Sequence, residues 1–128
     1  MGLYHRVDVS LDPFPYNGTT TTCDAVWMGV PVVTLAGRTH VARVGLDLVT
    51  HLGFPEWGAA TREAYVAKCR ELTSDLPTLA GLRLGLREQM RRSPICDGPQ
   101  FISGLEAAFR SMWRQWCERQ RDGQYLIK

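Results

Sequence analysis

The stretch Val30-Pro31-Val32-Val33-Thr34-Leu35 limits what this chain can become more than any other segment. It is short, apolar and rich in β-branched side chains, with Gly29 just before it and Gly37 just after. A strand that runs continuously apolar, instead of alternating, is buried on both faces, as in parallel sheets covered by helices on each side. Upstream, Val7-Asp8-Val9-Ser10-Leu11-Asp12 does alternate, and Pro13 and Pro15 stop it sharply. That pattern predicts a short first strand. Between the two, Thr20 to Met28 reads as a short helix closed by Gly29, with Pro31 two residues further on; glycine at this position is the common helix terminator.

Strand, helix and strand in this order imply a right-handed crossover and parallel neighbours. His40 to Leu52 carries Val41, Val44, Leu48 and Leu52 at helical spacing and ends at Gly53. Phe54 to Ala60 reads as an edge strand or an irregular connection. Three helices are expected over 61–74, 75–92 and 99–121. Thr61 caps the first, which places Tyr65, Cys69 and Leu72 on one face. Asp75 starts the second, with Leu79, Leu82, Leu86 and Met90 as its stripe. The last is amphipathic, with Phe101, Leu105, Phe109, Met112, Trp113 and Trp116 on a buried side. The expected class is α/β, and the parallel sheet is thin, with only two convincing strands. It reads as half of a doubly wound, Rossmann-like domain with flanking helices.

Bulk properties remove several function classes. With 128 residues, 45% of them hydrophobic and 22% charged, the chain can bury one core without cross-links. A formal charge of +2 and the absence of a basic run give no reason to expect nucleic acid. No apolar stretch reaches the roughly 18 residues of a membrane span, and the first residues lack the apolar core of a signal peptide. No membrane partner is expected, and the localisation is cytoplasmic. Cys23, Cys69, Cys96 and Cys117 are spaced 46, 27 and 21 residues apart, which matches no zinc pattern. No metal site is expected.

The turn after the first strand, Asp12-Pro13-Phe14-Pro15-Tyr16-Asn17-Gly18-Thr19-Thr20-Thr21-Thr22-Cys23-Asp24, lies where open α/β sheets bind ligands. Gly18 lets the backbone turn tightly and approach a ligand closely. Threonines after it form a helix start with free N–H groups and hydroxyl donors, an arrangement that attracts phosphate through hydrogen bonds and the helix dipole. Asp24, one turn in, is placed to accept hydrogen bonds from both hydroxyls of a ribose. Simple helix capping by one of the threonines, with the rest exposed, is the alternative. On these residues alone, both readings stand.

Leu11-Asp12-Pro13-Phe14-Pro15-Tyr16-Asn17-Gly18-Thr19-Thr20-Thr21-Thr22, with Trp27-Met28-Gly29-Val30-Pro31-Val32-Val33-Thr34-Leu35-Ala36-Gly37, resembles the C-terminal catalytic lobe of protein O-GlcNAc transferases and the SPINDLY-type proteins. The likeness continues through His40–Gly45, Ser93-Pro94 and Phe101–Trp116, nearly the whole chain. It implies the C-terminal lobe of a GT-B glycosyltransferase, whose catalytic region usually follows tetratricopeptide repeats. It implies transfer of GlcNAc from UDP-GlcNAc to Ser or Thr hydroxyls of a protein acceptor, without a cofactor or an obligatory metal. By the resemblance, Gly18, Thr19, Thr20 and Thr21 bind the donor diphosphate and Asp24 holds the ribose. Asp24 stands where many bacterial relatives carry the longer Glu. The family's uracil-contacting segment, diphosphate lysine and first-lobe histidine would lie upstream of residue 1, so the catalytic residues are unknown here. The chain alone is expected to be a fragment that binds UDP weakly and turns over little.

Three further groups are weighed. Asn17, Arg38 and His40, with Arg43, are placed to face the donor, although a helix start capped by Thr39 accounts for His40 equally well. His51, in the last turn of a helix, reads as structural, and His5 as a surface residue. Trp113 and Trp116 fit core packing better than sugar stacking; where the other lobe is absent, part of their stripe is exposed and favours self-association. Two alternatives complete the reading: a non-catalytic interaction module, and a fragment of a GDP-fucose-dependent O-fucosyltransferase.

Overall fold

The computed structural model describes residues 2–121. They form two compact units, divided after Cys96. In the first, a 3₁₀ turn (Gly2–Arg6) leads into β1 (Ser10–Leu11), α1 (Thr20–Trp27), β2 (Val32–Leu35) and a second 3₁₀ turn (His40–Ala42). Then come α2 (Val44–His51), a 3₁₀ turn (Pro55–Trp57), β3 (Gly58–Ala59), α3 (Arg62–Ser74), α4 (Leu76–Arg92) and a last 3₁₀ turn (Pro94–Cys96). The second unit holds α5 (Gly98–Arg121).

The fold is α/β with a three-stranded sheet in the order β1-β2-β3, parallel throughout. β2 is central, and its double burial follows from the alternation of a strand. Val32 joins a core with Ala25 and Val26 of α1, Val49 of α2, Leu52 just after it, Trp57 of the third 3₁₀ turn, and Leu86 and Met90 of α4. Val33 points the other way, into a smaller cluster with Ala59 and Tyr65 of α3. Both valines are essentially solvent-free, each contributing about 1.5–3 kcal/mol of burial. α1 and α2 end where glycine permits a left-handed residue, at Gly29 (φ 77°) and Gly53 (φ 90°).

Four expectations need correction. β1 is shorter than its alternation suggests, and the pattern inverts at its end: Leu11 is 58% exposed while Asp12 is 2% exposed. A hydrogen-bonding role for the acid, described below, explains the inversion. The helix foreseen from His40 is broken at Arg43 (φ −125°, ψ −8°), so that α2 begins at Val44. Its first carbonyls are taken by other partners, since Val41 O accepts from Asn17 N at 2.9 Å and Ala42 O from Gly37 N at 2.7 Å. Thr39 precedes the 3₁₀ turn but makes no side-chain capping bond. Finally, α5 buries none of its residues, and Phe101, Phe109, Met112 and Trp113 are all more than half exposed. Helical periodicity reports that a face is apolar, not that it is buried. Within α5, Trp113 and Trp116 stack at 5.0 Å.

Candidate functional site

The turn between β1 and α1 is held from beneath. A residue before proline is biased to extended backbone, and Asp12 precedes Pro13. Parallel pairing of Leu11 with Val33 puts Asp12 level with Thr34 of β2. There the carboxylate is buried, and each oxygen has a donor. Gly18 N donates to Oδ1 at 2.7 Å and Thr34 Oγ1 donates to Oδ2 at 2.6 Å. The Asp12 carbonyl accepts from the Tyr65 hydroxyl of α3 at 3.1 Å. Burial pushes the Asp12 carboxyl above its ordinary value, against the opposing pull of Thr34, Gly18 and Thr22.

Asn17 is also buried. Its Nδ2 donates to Pro13 O at 3.0 Å, and its Oδ1 accepts from Gly45 N at 3.3 Å. Its side chain therefore ties the turn to α2 and has both ends committed internally. Glycine at 18 leaves the neighbouring threonine hydroxyls room. A Cβ there would lie 2.5 Å from Thr21 Oγ1 and 2.9 Å from Thr22 Oγ1. Thr22 is folded inward, donating to Gly18 O at 3.0 Å.

What remains outward is the threonine row. Thr19, Thr20 and Thr21 are exposed. Thr19 makes no side-chain capping bond, and α1 has no acid in its first turn. The N–H groups of a helix's first turn lack intrahelical partners, so the positive end of the α1 dipole faces outward beside three hydroxyls. Asp24 is half-buried, one turn on from Thr20 and on the same helix face; its charge, after burial, helps to raise the Cys23 thiol.

Thr19 and His40 line one cavity of about 610 Å³ with Arg43, Asp47 and Thr50. Arg43 is braced by donating from Nη1 to Gly37 O at 3.2 Å. Arg38 is exposed and does not line that cavity. His5 is exposed, and His51 Nδ1 lies 2.9 Å from Asp47 O within α2. Among the described residues, no group of three or more His, Cys, Asp or Glu is placed to hold a metal, and no helix is long and apolar enough to cross a membrane.

Sequence reasoning missed the frame: Asp12, Thr34, Gly45 and Tyr65. The signal was faint but present. A polar residue follows β1 directly, and at the same level another sits inside the otherwise apolar β2.

The chain is similar to known proteins. The model of "Glycosyl transferase family 41" matches residues 5–105. A barley (Hordeum vulgare) protein described as a probable UDP-N-acetylglucosamine--peptide N-acetylglucosaminyltransferase SPINDLY is 49% identical over 118 residues, covering 92% of this chain and 12% of that protein. The Caenorhabditis elegans UDP-N-acetylglucosamine--peptide N-acetylglucosaminyltransferase is 33% identical over 109 residues, 85% of this chain and 10% of that one. A solved O-GlcNAc transferase variant of Thermobaculum terrenum superposes with a TM-score of 0.84 at 41% identity, over 93% of this chain and 23% of that one. The chain thus spans 12% of the barley relative's length.

Proposed function

This chain belongs to glycosyl transferase family 41, and from that premise we propose that it forms the donor-binding part of a protein O-glycosyltransferase that transfers GlcNAc from UDP-GlcNAc to Ser or Thr hydroxyls. The observation that carries the proposal is the outward-facing threonine row at an uncapped helix start, held at the carboxyl edge of the sheet. Anions bind at such starts because N–H groups and dipole act together. Gly18, Thr19, Thr20 and Thr21 receive the diphosphate. Asp24, on the Thr20 face, takes the ribose hydroxyls. His40 and Arg38 stand on the donor side, and Arg43 shares the cavity of Thr19 and His40. Asn17 serves from within by fixing the turn.

In sugar transfer the bond from C1 to the diphosphate oxygen breaks as the acceptor hydroxyl attacks C1. Negative charge grows on the departing diphosphate, and preset donors stabilise it there more than in the ground state. The threonine row supplies such donors. Because the chain covers a small part of its relatives, the full reaction belongs to the longer protein, and the isolated chain binds UDP weakly with little turnover. The relatives' description as UDP-N-acetylglucosamine--peptide N-acetylglucosaminyltransferases supports UDP-GlcNAc as donor over GDP-fucose.

Isothermal titration with UDP tests the assignment. Thr20→Ala and Asp24→Ala each weaken binding by about threefold to tenfold, the effect of one hydrogen bond. Equal affinity in wild type and both variants would refute it. The exposed apolar stripe of α5 favours a second reading, self-association; sedimentation that is independent of concentration removes it.

A further inference from the structure

We infer that Asp12 is the positioning residue of the threonine row: its buried carboxylate, joining the Gly18 amide to the Thr34 hydroxyl, sets the affinity for a nucleoside diphosphate without touching it. The inference rests on the donor-binding reading above.

Asp12 is only 2% exposed, so direct service to a ligand is closed to it. Its place is also opposed by charge, because a carboxylate beneath an anion-binding turn repels the anion. Geometry is what favours it. Oδ1 fixes the N–H of Gly18, and Gly18 O in turn accepts from Thr22 Oγ1. The two sides of one residue are thereby tied to strand and helix, and the next three residues are the threonine row. Oδ2 is anchored to Thr34, buried in the central strand. The neighbouring helix leaves room for this arrangement. A Cβ on Gly45 would lie 2.2 Å from Asp12 Oδ2 and 2.3 Å from Thr34 Oγ1. The Asp12 carbonyl is meanwhile tied to α3 through Tyr65. Turn, central strand and α3 therefore converge on one residue, with the glycine of α2 packed against it. A ligand reaching the row meets donors already aimed, and the ordering cost on binding falls.

Two substitutions separate geometry from charge. In Asp12→Asn the side-chain oxygen still accepts from Gly18 N–H and the amide nitrogen donates to Thr34 Oγ1 in place of the bond that Oδ2 accepted, while the negative charge is gone. Asp12→Ala removes both. Inorganic pyrophosphate and UDP are titrated into the full chain and followed by amide NMR. In Asp12→Ala, the ligand-free Gly18 amide shifts and exchanges faster, and affinity for both probes falls roughly tenfold or more. Asp12→Asn stays within about threefold of wild type or binds more tightly. The Trp57 indole and Val33 methyl resonances stay in place in both variants, showing an intact core. Should Asp12→Ala unfold, Thr34→Val removes the Oδ2 donor alone and must itself move the Gly18 amide and weaken both probes.

An unmoved Gly18 amide with unchanged affinity in the folded variants overturns the inference. So does a loss in Asp12→Asn equal to that in Asp12→Ala, because the bond to Gly18 N–H that Asn keeps would then not be what sets the affinity. If the wild type binds neither probe, the donor-binding reading fails and takes the affinity claim with it. If the wild type binds and the Asp12 variants match it, only the role of Asp12 fails.

Discussion

Replacing Tyr65 by Phe deletes a single oxygen and tests how α3 supports the site. The ring is nearly buried, and its hydroxyl donates to the Asp12 carbonyl at 3.1 Å. Phenylalanine keeps the edge-on contact with Phe14, at 5.9 Å between ring centres and 82° between planes, so the aromatic contribution is retained. The lost bond between neutral groups is worth about 1 kcal/mol net, and leaving the buried carbonyl short of a partner adds up to about 1 more. A total near 1.5–2 kcal/mol, with a urea m-value of about 1.5 kcal/mol per molar, lowers the unfolding midpoint by about 1 M. Far-UV circular dichroism and the indole resonance of the buried Trp57 follow the transition. A midpoint moved by less than about 0.3 M would show that the hydroxyl contributes nothing beyond packing, and the link from α3 to the turn would fall with it.

The same phenol has a pH signature. Burial, with smaller contributions from Cys69 and Asp12, pushes it up to about 12. The raised value means that its contribution is complete below an ordinary phenol's value of about 10 and fades as pH rises toward 12. Tyr65→Phe should flatten that alkaline loss, and an unchanged slope counts against it. Arg83→Met tests the hold on β1: Arg83 Nη1 donates to Val7 O at 2.5 Å and Nη2 to Tyr4 O at 3.3 Å. Its pair with the exposed Asp8 is worth little. The variant should lose about 1–3 kcal/mol and speed exchange of the Ser10 amide, whereas Asp8→Asn should do neither; equal effects would reverse this assignment. Glu88 is half-exposed yet held at about 2, first by the Arg91 hydrogen bond and also by Arg92. Its stabilising effect is present above the ordinary glutamate value and disappears as pH falls from there toward 2. Carboxyl NMR should show this, and Arg91→Gln should raise the value; an ordinary titration in wild type would dismiss the pairing.

Much of the architecture was legible because it rests on local rules. β2 announced its double burial through an unbroken apolar run, and Gly29 and Gly53 marked helix ends where φ is positive. The threonine row was visible as a candidate site because it is contiguous. What escaped depends on partners distant in sequence. The break at Arg43 arises because Asn17 and Gly37 take the carbonyls of Val41 and Ala42, which periodicity does not register. Asp12 looked like the polar half of an alternating strand until Thr34, 22 residues away, supplied its partner. α5 gave a strong amphipathic signal, but that signal is silent about who covers the stripe.

The threonine turn reads as one uninterrupted motif, yet its shape is secured at residues 34, 41, 45 and 65. A peptide copied from residues 11–24 would keep the bonds inside the turn and lose every brace that the rest of the domain supplies. It would spread over many conformations. The smallest transplantable unit is therefore the turn together with β2, the start of α2 and the first turns of α3. A protein engineer moving this turn to another scaffold would have to move a cross-section of the domain, not a loop.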